Sequence, residues 1–180
     1  MKTILASGSP RRAKILADLG IDFSVVKTGA PETAYPDDPA RTVAENASAK
    51  EKAAREKIAQ ECSGPVTVIA ADTIVWMDGK IYGKPKDMDE ARQFLRELSG
   101  RTHKVFTGVS VNGETNVAVS DVTFRELSDD TIDSYVRLVR PLDRAGAYDI
   151  DEYGDMLIER WTGSYENIMG LPKELVANVK

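Results

Sequence analysis

Ile4-Leu5-Ala6-Ser7-Gly8-Ser9-Pro10-Arg11-Arg12 is the stretch on which the fold turns. Three apolar residues run into a turn of small residues, and Ala13, Ile15, Leu16 and Leu19 then recur at helical spacing as far as Gly20. The pattern predicts a buried strand, a tight turn and a helix with Ser9 as N-cap, Pro10 at its first position and Gly20 as its stop. Free N–H groups at a helix start favour an anion, and here Arg11 and Arg12 stand beside them. The segment therefore reads either as a phosphate site or as a capped surface helix with two solvated arginines.

Outward from this unit, strands and helices alternate, which predicts α/β layering. Ile21 to Val26 alternates as a half-buried strand, and 27–38 is a polar loop carrying Glu32. Asp38 and Pro39 open a long helix to about Gln60, and Val66 to Ala71 forms a short buried strand ending at Asp72. Asp78-Gly79 and Asn112-Gly113 each sit between strand-like runs, a strong hairpin signal. Asp87 with Glu90, and Ser128, cap two further amphipathic helices. A strand near Met156 to Arg160, a turn segment Gly163 to Gly170 and a short helix from Pro172 complete the reading.

The 180 residues, 42% hydrophobic and 29% charged, suit one sizeable domain or one domain with two lobes around a cleft. A net charge of −5 and no continuous basic stripe speak against nucleic acid as a partner. No apolar run is long enough to span a bilayer and no secretory leader is evident, so no membrane partner is expected. Cys62, the single cysteine, cannot form an internal disulfide and falls in a predicted loop, consistent with a cytoplasmic location.

Several residues are candidates for chemistry. Asp72, followed by Thr73, stands where α/β sheets place ligands, although it would equally cap the strand end. Lys50 falls about 20° from the centre of the stripe Val43, Ala47, Ala54 and Ile58, so it either snorkels or points into a cleft. Lys84 is held between Gly83 and Pro85. His103, the only histidine, has no nucleophile partner in a catalytic motif and reads as structural. Cations to hold a polyphosphate, with acids to bind metal or activate water, suit phosphate chemistry.

With those residues in place, the chain resembles the Maf family of nucleoside triphosphate pyrophosphatases along essentially its whole length. The resemblance is carried by Ser7-Gly8-Ser9-Pro10-Arg11-Arg12, Glu32-Thr33, Asn46-Ala47 with Lys50, Ala71-Asp72-Thr73 and Gly83-Lys84-Pro85. It continues through Leu98 to His103, Thr107-Gly108-Val109, Ala145 to Tyr148, and Gly163 to Pro172. It implies one domain over residues 1–180, a mixed twisted sheet with flanking helices, two lobes around a central cleft, and a homodimer. It also implies hydrolysis of a nucleoside triphosphate between the α and β phosphates, clearing unwanted nucleotides from the pool with Mg²⁺ or Mn²⁺ as cofactor.

On that resemblance Asp72 is the general base, Glu32 and Asp72 hold the metal, and Lys50 and Lys84 join the catalytic set. Ser7, Ser9, Arg11, Arg12, Thr73 and Asp151 would face the substrate. The branch acting on dTTP and UTP is matched at Arg12 and Thr73, but it carries Gln where this chain has Asp151, an acid that only accepts hydrogen bonds when ionised. A nucleotide-binding regulator of cell division with little or no hydrolysis is the alternative reading.

Overall fold

The computed structural model describes residues 2–59 and 64–179. Cys62 and the predicted helix end at Gln60 lie outside the described residues.

Seven strands form one mixed sheet: β1 (Lys2–Leu5), β2 (Phe23–Val25), β3 (Val66–Met77), β4 (Lys80–Tyr82), β5 (Thr102–Val111), β6 (Glu114–Phe124) and β7 (Ile158–Thr162). Their order is β2-β1-β3-β5-β6-β7, with β4 also on β3; β1 runs parallel to both neighbours and the other pairings are antiparallel. Among the described residues five α-helices accompany the sheet: α1 (Pro10–Asp18), α2 (Pro39–Ile58), α3 (Met88–Leu98), α4 (Asp129–Val139) and α5 (Tyr165–Met169). The two hairpins form where the sequence places them, Met77 pairing with Lys80 around Asp78-Gly79 and Val111 with Glu114 around Asn112-Gly113. Asp38, Asp87 and Ser128 all cap, each accepting a backbone N–H three residues on.

Three expectations need correction. Asp72 does not end a strand: Val66–Met77 is one continuous strand that passes through it. What ends there is the strand's neighbours. On its outer edge β1 pairs with Val66 to Ile69 and β4 with Val75 to Met77, and between them the edge is open. The segment Gly163 to Gly170 is not a plain turn but holds α5, capped by Ser164 and closed by Gly170 in the left-handed region (φ 107°). Past Pro172 the expected short helix forms with Pro172 at its N-cap, but among the described residues it is a single 3-10 turn, Lys173–Leu175.

The packing explains why the open edge matters. On one face of the sheet α2 covers Val68 and Ala70 together with Ala54 and Ile58, then Ile74 and Phe106 together with Val43. On the other face α1 and the Leu171 region pack on Ile69, Ala71 and Val109, while α3 and α4 pack on Val75, Val105 and Val122. Each buried Leu, Ile or Phe of these clusters contributes roughly 1.5–3 kcal/mol. Between the clusters, on both faces, lie Asp72 paired with Gly108 and Thr73 paired with Thr107. A polar layer one residue pair deep thus crosses the sheet where its edge is open.

Candidate active site

Asp72 and Thr73 are successive residues of a strand, so their side chains leave on opposite faces. Asp72 faces α2, which is seated close enough to bring two side chains onto it. The close seat is at Gly108, directly across from Asp72: a Cβ there would overlap the carbonyl of Val43 and come within 2.9 Å of the Ala44 nitrogen. One turn along α2, Asn46 Nδ2 donates to Asp72 Oδ2 at 3.0 Å, and a further turn on Lys50 Nζ donates to Oδ1 at 2.6 Å. The same ammonium lies 2.6 Å from Glu32 Oε1. Lys50 therefore points into the site, and with its side chain 15% exposed it is held between two carboxylates.

Glu32 comes from the polar loop, and the loop is tied down around it. Asn46 accepts the Thr33 N–H at 2.9 Å and donates back to the Thr33 carbonyl at 2.9 Å. Thr42 Oγ1 accepts the Tyr35 N–H, and Trp76 Nε1 donates to the Pro36 carbonyl. Asn46, buried and fully committed, thereby couples the Glu32 loop to Asp72. Asp72 is 6% exposed, whereas the Glu32 side chain is 54% exposed. One carboxylate is sheltered and the other reaches out from the wall.

On the opposite face Arg12 is held by three neutral oxygens. Nε donates to the Gly170 carbonyl at 2.7 Å, Nη1 to Ser7 Oγ at 3.0 Å and Nη2 to Thr73 Oγ1 at 3.0 Å. Thr73 Oγ1 also lies 2.9 Å from Thr107 Oγ1, which bonds the Asn167 carbonyl. The left-handed conformation of Gly170, cheap only without a Cβ, aims its carbonyl at Arg12. Burial lowers the Arg12 pKa to about 10, offset in part by Asp72, so the guanidinium keeps its charge at neutral pH. With no carboxylate bonded to it, that charge stays available to an anion.

Ser9 occupies the N-cap of α1, but its hydroxyl makes no capping bond; Ser9 Oγ is buried without a hydrogen-bond partner among the described residues. Its N–H donates instead to Ser7 Oγ at 3.2 Å. Arg11, one position into the helix, pairs with Asp149 at 3.4 Å. Lys84 is exposed after β4, on a segment fixed by the bond from Gly146 N–H to the Gly83 carbonyl (3.1 Å).

These residues line one cavity of about 750 Å³ that wraps the open edge of β3. Ser7, Ser9, Arg11, Arg12, Glu32, Lys50, Asp72, Thr73 and Lys84 all face it. Asp151 does not: it is exposed, and its carboxylate accepts a hydrogen bond from Tyr165 Oη at 2.9 Å. The acid that does line the cavity from this segment is Asp149, two residues earlier, and Lys27 lines it from the loop after β2. In the sequence reading Asn46 and Gly108 enter only as motif residues without a role, and Asp149 and Lys27 do not enter, because each acts through a contact distant in the chain. His103 is buried and bonded through Nε2 to Tyr148 Oη (2.9 Å); burial pushes its pKa down to about 3, so the ring is neutral and structural.

Fold and site together define an α/β protein with one cavity lined by both cations and carboxylates, Asp72 and Glu32 joined there by Lys50. The profile of the Maf-like protein family matches residues 2–179, and the chain belongs to that family. A dTTP/UTP pyrophosphatase of Phocaeicola vulgatus is 45% identical over 176 residues, covering 95% of this chain and 90% of that one. The dTTP/UTP pyrophosphatase of Deinococcus radiodurans is 44% identical over 179 residues (97% and 89%). That of Escherichia coli K12 is 42% identical over 172 residues (93% and 86%).

Proposed function

We infer that this chain is a nucleoside triphosphate pyrophosphatase, hydrolysing dTTP, UTP or related pyrimidine triphosphates to the monophosphate and pyrophosphate and so clearing the nucleotide pool. One observation carries the reading: a sheltered carboxylate, Asp72, in a cavity also lined by Arg11, Arg12, Lys27, Lys50 and Lys84. Relatives at 42–45% identity named dTTP/UTP pyrophosphatase support the substrate class. A nucleotide-binding regulator with little or no hydrolysis is not favoured by those names.

Asp72 takes the proton of a water as the water oxygen bonds to the α-phosphorus. The bond from that phosphorus to the bridging oxygen breaks, and pyrophosphate leaves with the electron pair. Lys50, bonded to Asp72 Oδ1, holds the carboxylate in place for that transfer. Arg12, Arg11 and the lysines offset charge on the phosphates, an effect that grows in a site with little water. Ser7, Ser9 and Thr73 complete the substrate wall, with the free Ser9 hydroxyl as a ready donor or acceptor.

Glu32 and Asp72 suit a divalent cation, since both are hard oxygen donors within 2.6 Å of one ammonium. Among the described residues no group of three Asp, Glu, His or Cys side chains is placed to hold a metal ion, so phosphate and water would supply the remaining ligands, as Mg²⁺ prefers. Bound there, Mg²⁺ or Mn²⁺ would supply charge neutralisation at the phosphate oxygens. The proposal includes a single domain over 1–180, a homodimer and a cytoplasmic location. Among the described residues no helix is long and apolar enough to cross a membrane.

A panel of standard and modified triphosphates with Mg²⁺, scored for pyrophosphate against orthophosphate, tests the reading. Pyrophosphate release with pyrimidine triphosphates foremost is expected. Orthophosphate as the first product, or binding without turnover, overturns it.

A further inference from the structure

We propose that Asp149 is a resident counter-ion for Arg11, a protein carboxylate that a polyphosphate must displace, and that it thereby holds down the affinity of the cavity for polyanions. The proposal rests on the pyrophosphatase reading and adds a positioning residue to it.

The backbone of Asp149 is clamped, its N–H donating to Tyr135 Oη at 2.8 Å and its carbonyl accepting from the same hydroxyl at 3.4 Å. Its carboxylate is buried on the cavity wall. Oδ1 accepts the Asp151 N–H at 2.9 Å, while Oδ2 faces Arg144 Nε at 3.1 Å and Arg11 Nη1 at 3.4 Å. The two arginines are not equivalent. Arg144 also meets Asp143 and Glu152, each at 2.6 Å, so it remains compensated without Asp149. Among the described residues Asp149 is the one carboxylate paired with Arg11.

The Arg11 contact, at 3.4 Å, is longer than the roughly 2.7–2.9 Å of a strong charge-assisted bond, so a competing phosphate oxygen can displace it. Arg12 is the contrast: its nitrogens meet neutral oxygens, and a phosphate displaces no charge to reach it. Asp149 thus opposes binding twice, by occupying Arg11 and by adding negative charge to the wall. A carboxylate so placed favours release of the anionic products.

The test is calorimetric titration with inorganic tripolyphosphate, a probe independent of base and of turnover, on wild type, Asp149→Asn, Arg11→Ala and the double variant. Asn retains an acceptor for the Asp151 N–H, and thermal melts establish folding; Asp149→Ser serves if Asn is not accommodated. Asp149→Asn is expected to tighten binding about fivefold, and the gain to shrink in the Arg11→Ala background. Unchanged or weaker binding overturns the proposal, as does the same gain with and without Arg11. A wild type that binds tripolyphosphate and releases pyrophosphate from triphosphates, yet shows either of those results, leaves the pyrophosphatase reading intact. A wild type that binds none overturns the proposal alone, and overturns both only if it also releases no pyrophosphate from triphosphates.

Discussion

Gly108→Ala is the substitution that most directly tests how the site is built, because it touches none of the groups assigned to the chemistry. The new methyl would come within 2.9 Å of the Ala44 nitrogen and closer still to the Val43 carbonyl, where ordinary contact begins near 3.4 Å. Relief requires α2 to lift from β5 by about 1 Å, judged against normal van der Waals separations. The obstacle is backbone, so no rotamer change absorbs it. Overpacking of this kind costs about 1–3 kcal/mol, which for a chain of this length lowers Tm by roughly 2–10 °C. The larger effect is on turnover. Asn46 and Lys50 lie one and two turns beyond Val43, and their bonds to Asp72 of 3.0 and 2.6 Å leave no slack for that displacement. A misplacement of about 1 Å at reacting groups is worth about 100-fold in rate. The expected result is a folded protein with kcat down about 100-fold and a smaller change in KM, measured by pyrophosphate release alongside thermal melts. Val43→Ala should not rescue it, since the clash is with the carbonyl. Wild-type kcat in a folded Gly108→Ala protein would refute the claim that α2's close seat assembles the site.

Asp72→Asn should abolish turnover while the melting temperature and triphosphate binding stay near wild type, because Asn keeps the shape and Lys50 keeps Glu32; full activity removes Asp72 as the base. Arg12→Ala should raise KM about 10- to 150-fold, the equivalent of about 1.5–3 kcal/mol for a charge-assisted contact, and unchanged kinetics remove Arg12 from the site. Stability should fall with acid through His103: its folded pKa of about 3 lies below the ordinary 6.5, so the unfolded chain binds the extra proton between those values. At pH 5 that amounts to about 2 kcal/mol relative to pH 7.5, and His103→Gln, which retains a partner for Tyr148 Oη, should show a shallower fall of Tm over that range. An equal slope in both proteins assigns the acid sensitivity to other groups.

Local chemistry was the legible part of this fold. Asp78-Gly79 and Asn112-Gly113 declare their hairpins within four residues, and Asp38, Asp87 and Ser128 cap helices by bonds that span three. Lys50 was visible too, because helical periodicity places it near the line through Val43, Ala47 and Ala54. The sequence marks Asp72 as a candidate but not its place within a continuous strand. A carboxylate inside an apolar run looks like the end of a strand, and nothing local says that β1 and β4 stop on either side of it while β3 continues. Glu32 entered only through the family resemblance, since its loop owes its position to Asn46, Thr42 and Trp76.

The residues whose roles are not legible in the sequence share one property: their effect is exerted through pairing across the sheet or across the cavity. Gly108 matters because β5 register sets it opposite Asp72, and register is decided by the whole hairpin with β6 rather than by the glycine. Asp149 matters because the turn after α4 delivers it to Arg11, at the opposite end of the sequence. The polar layer of Asp72, Thr73, Thr107 and Gly108 shows why site and fold are one problem here. Four apolar clusters close around it, two on each face, and leave a single line of the sheet where a charged group can be buried and still be reached from the open edge of β3. A sequence in which that layer were apolar would join the clusters and gain burial, but it would lose the place where α2 and α1 present a lysine and an arginine to one cavity from opposite faces.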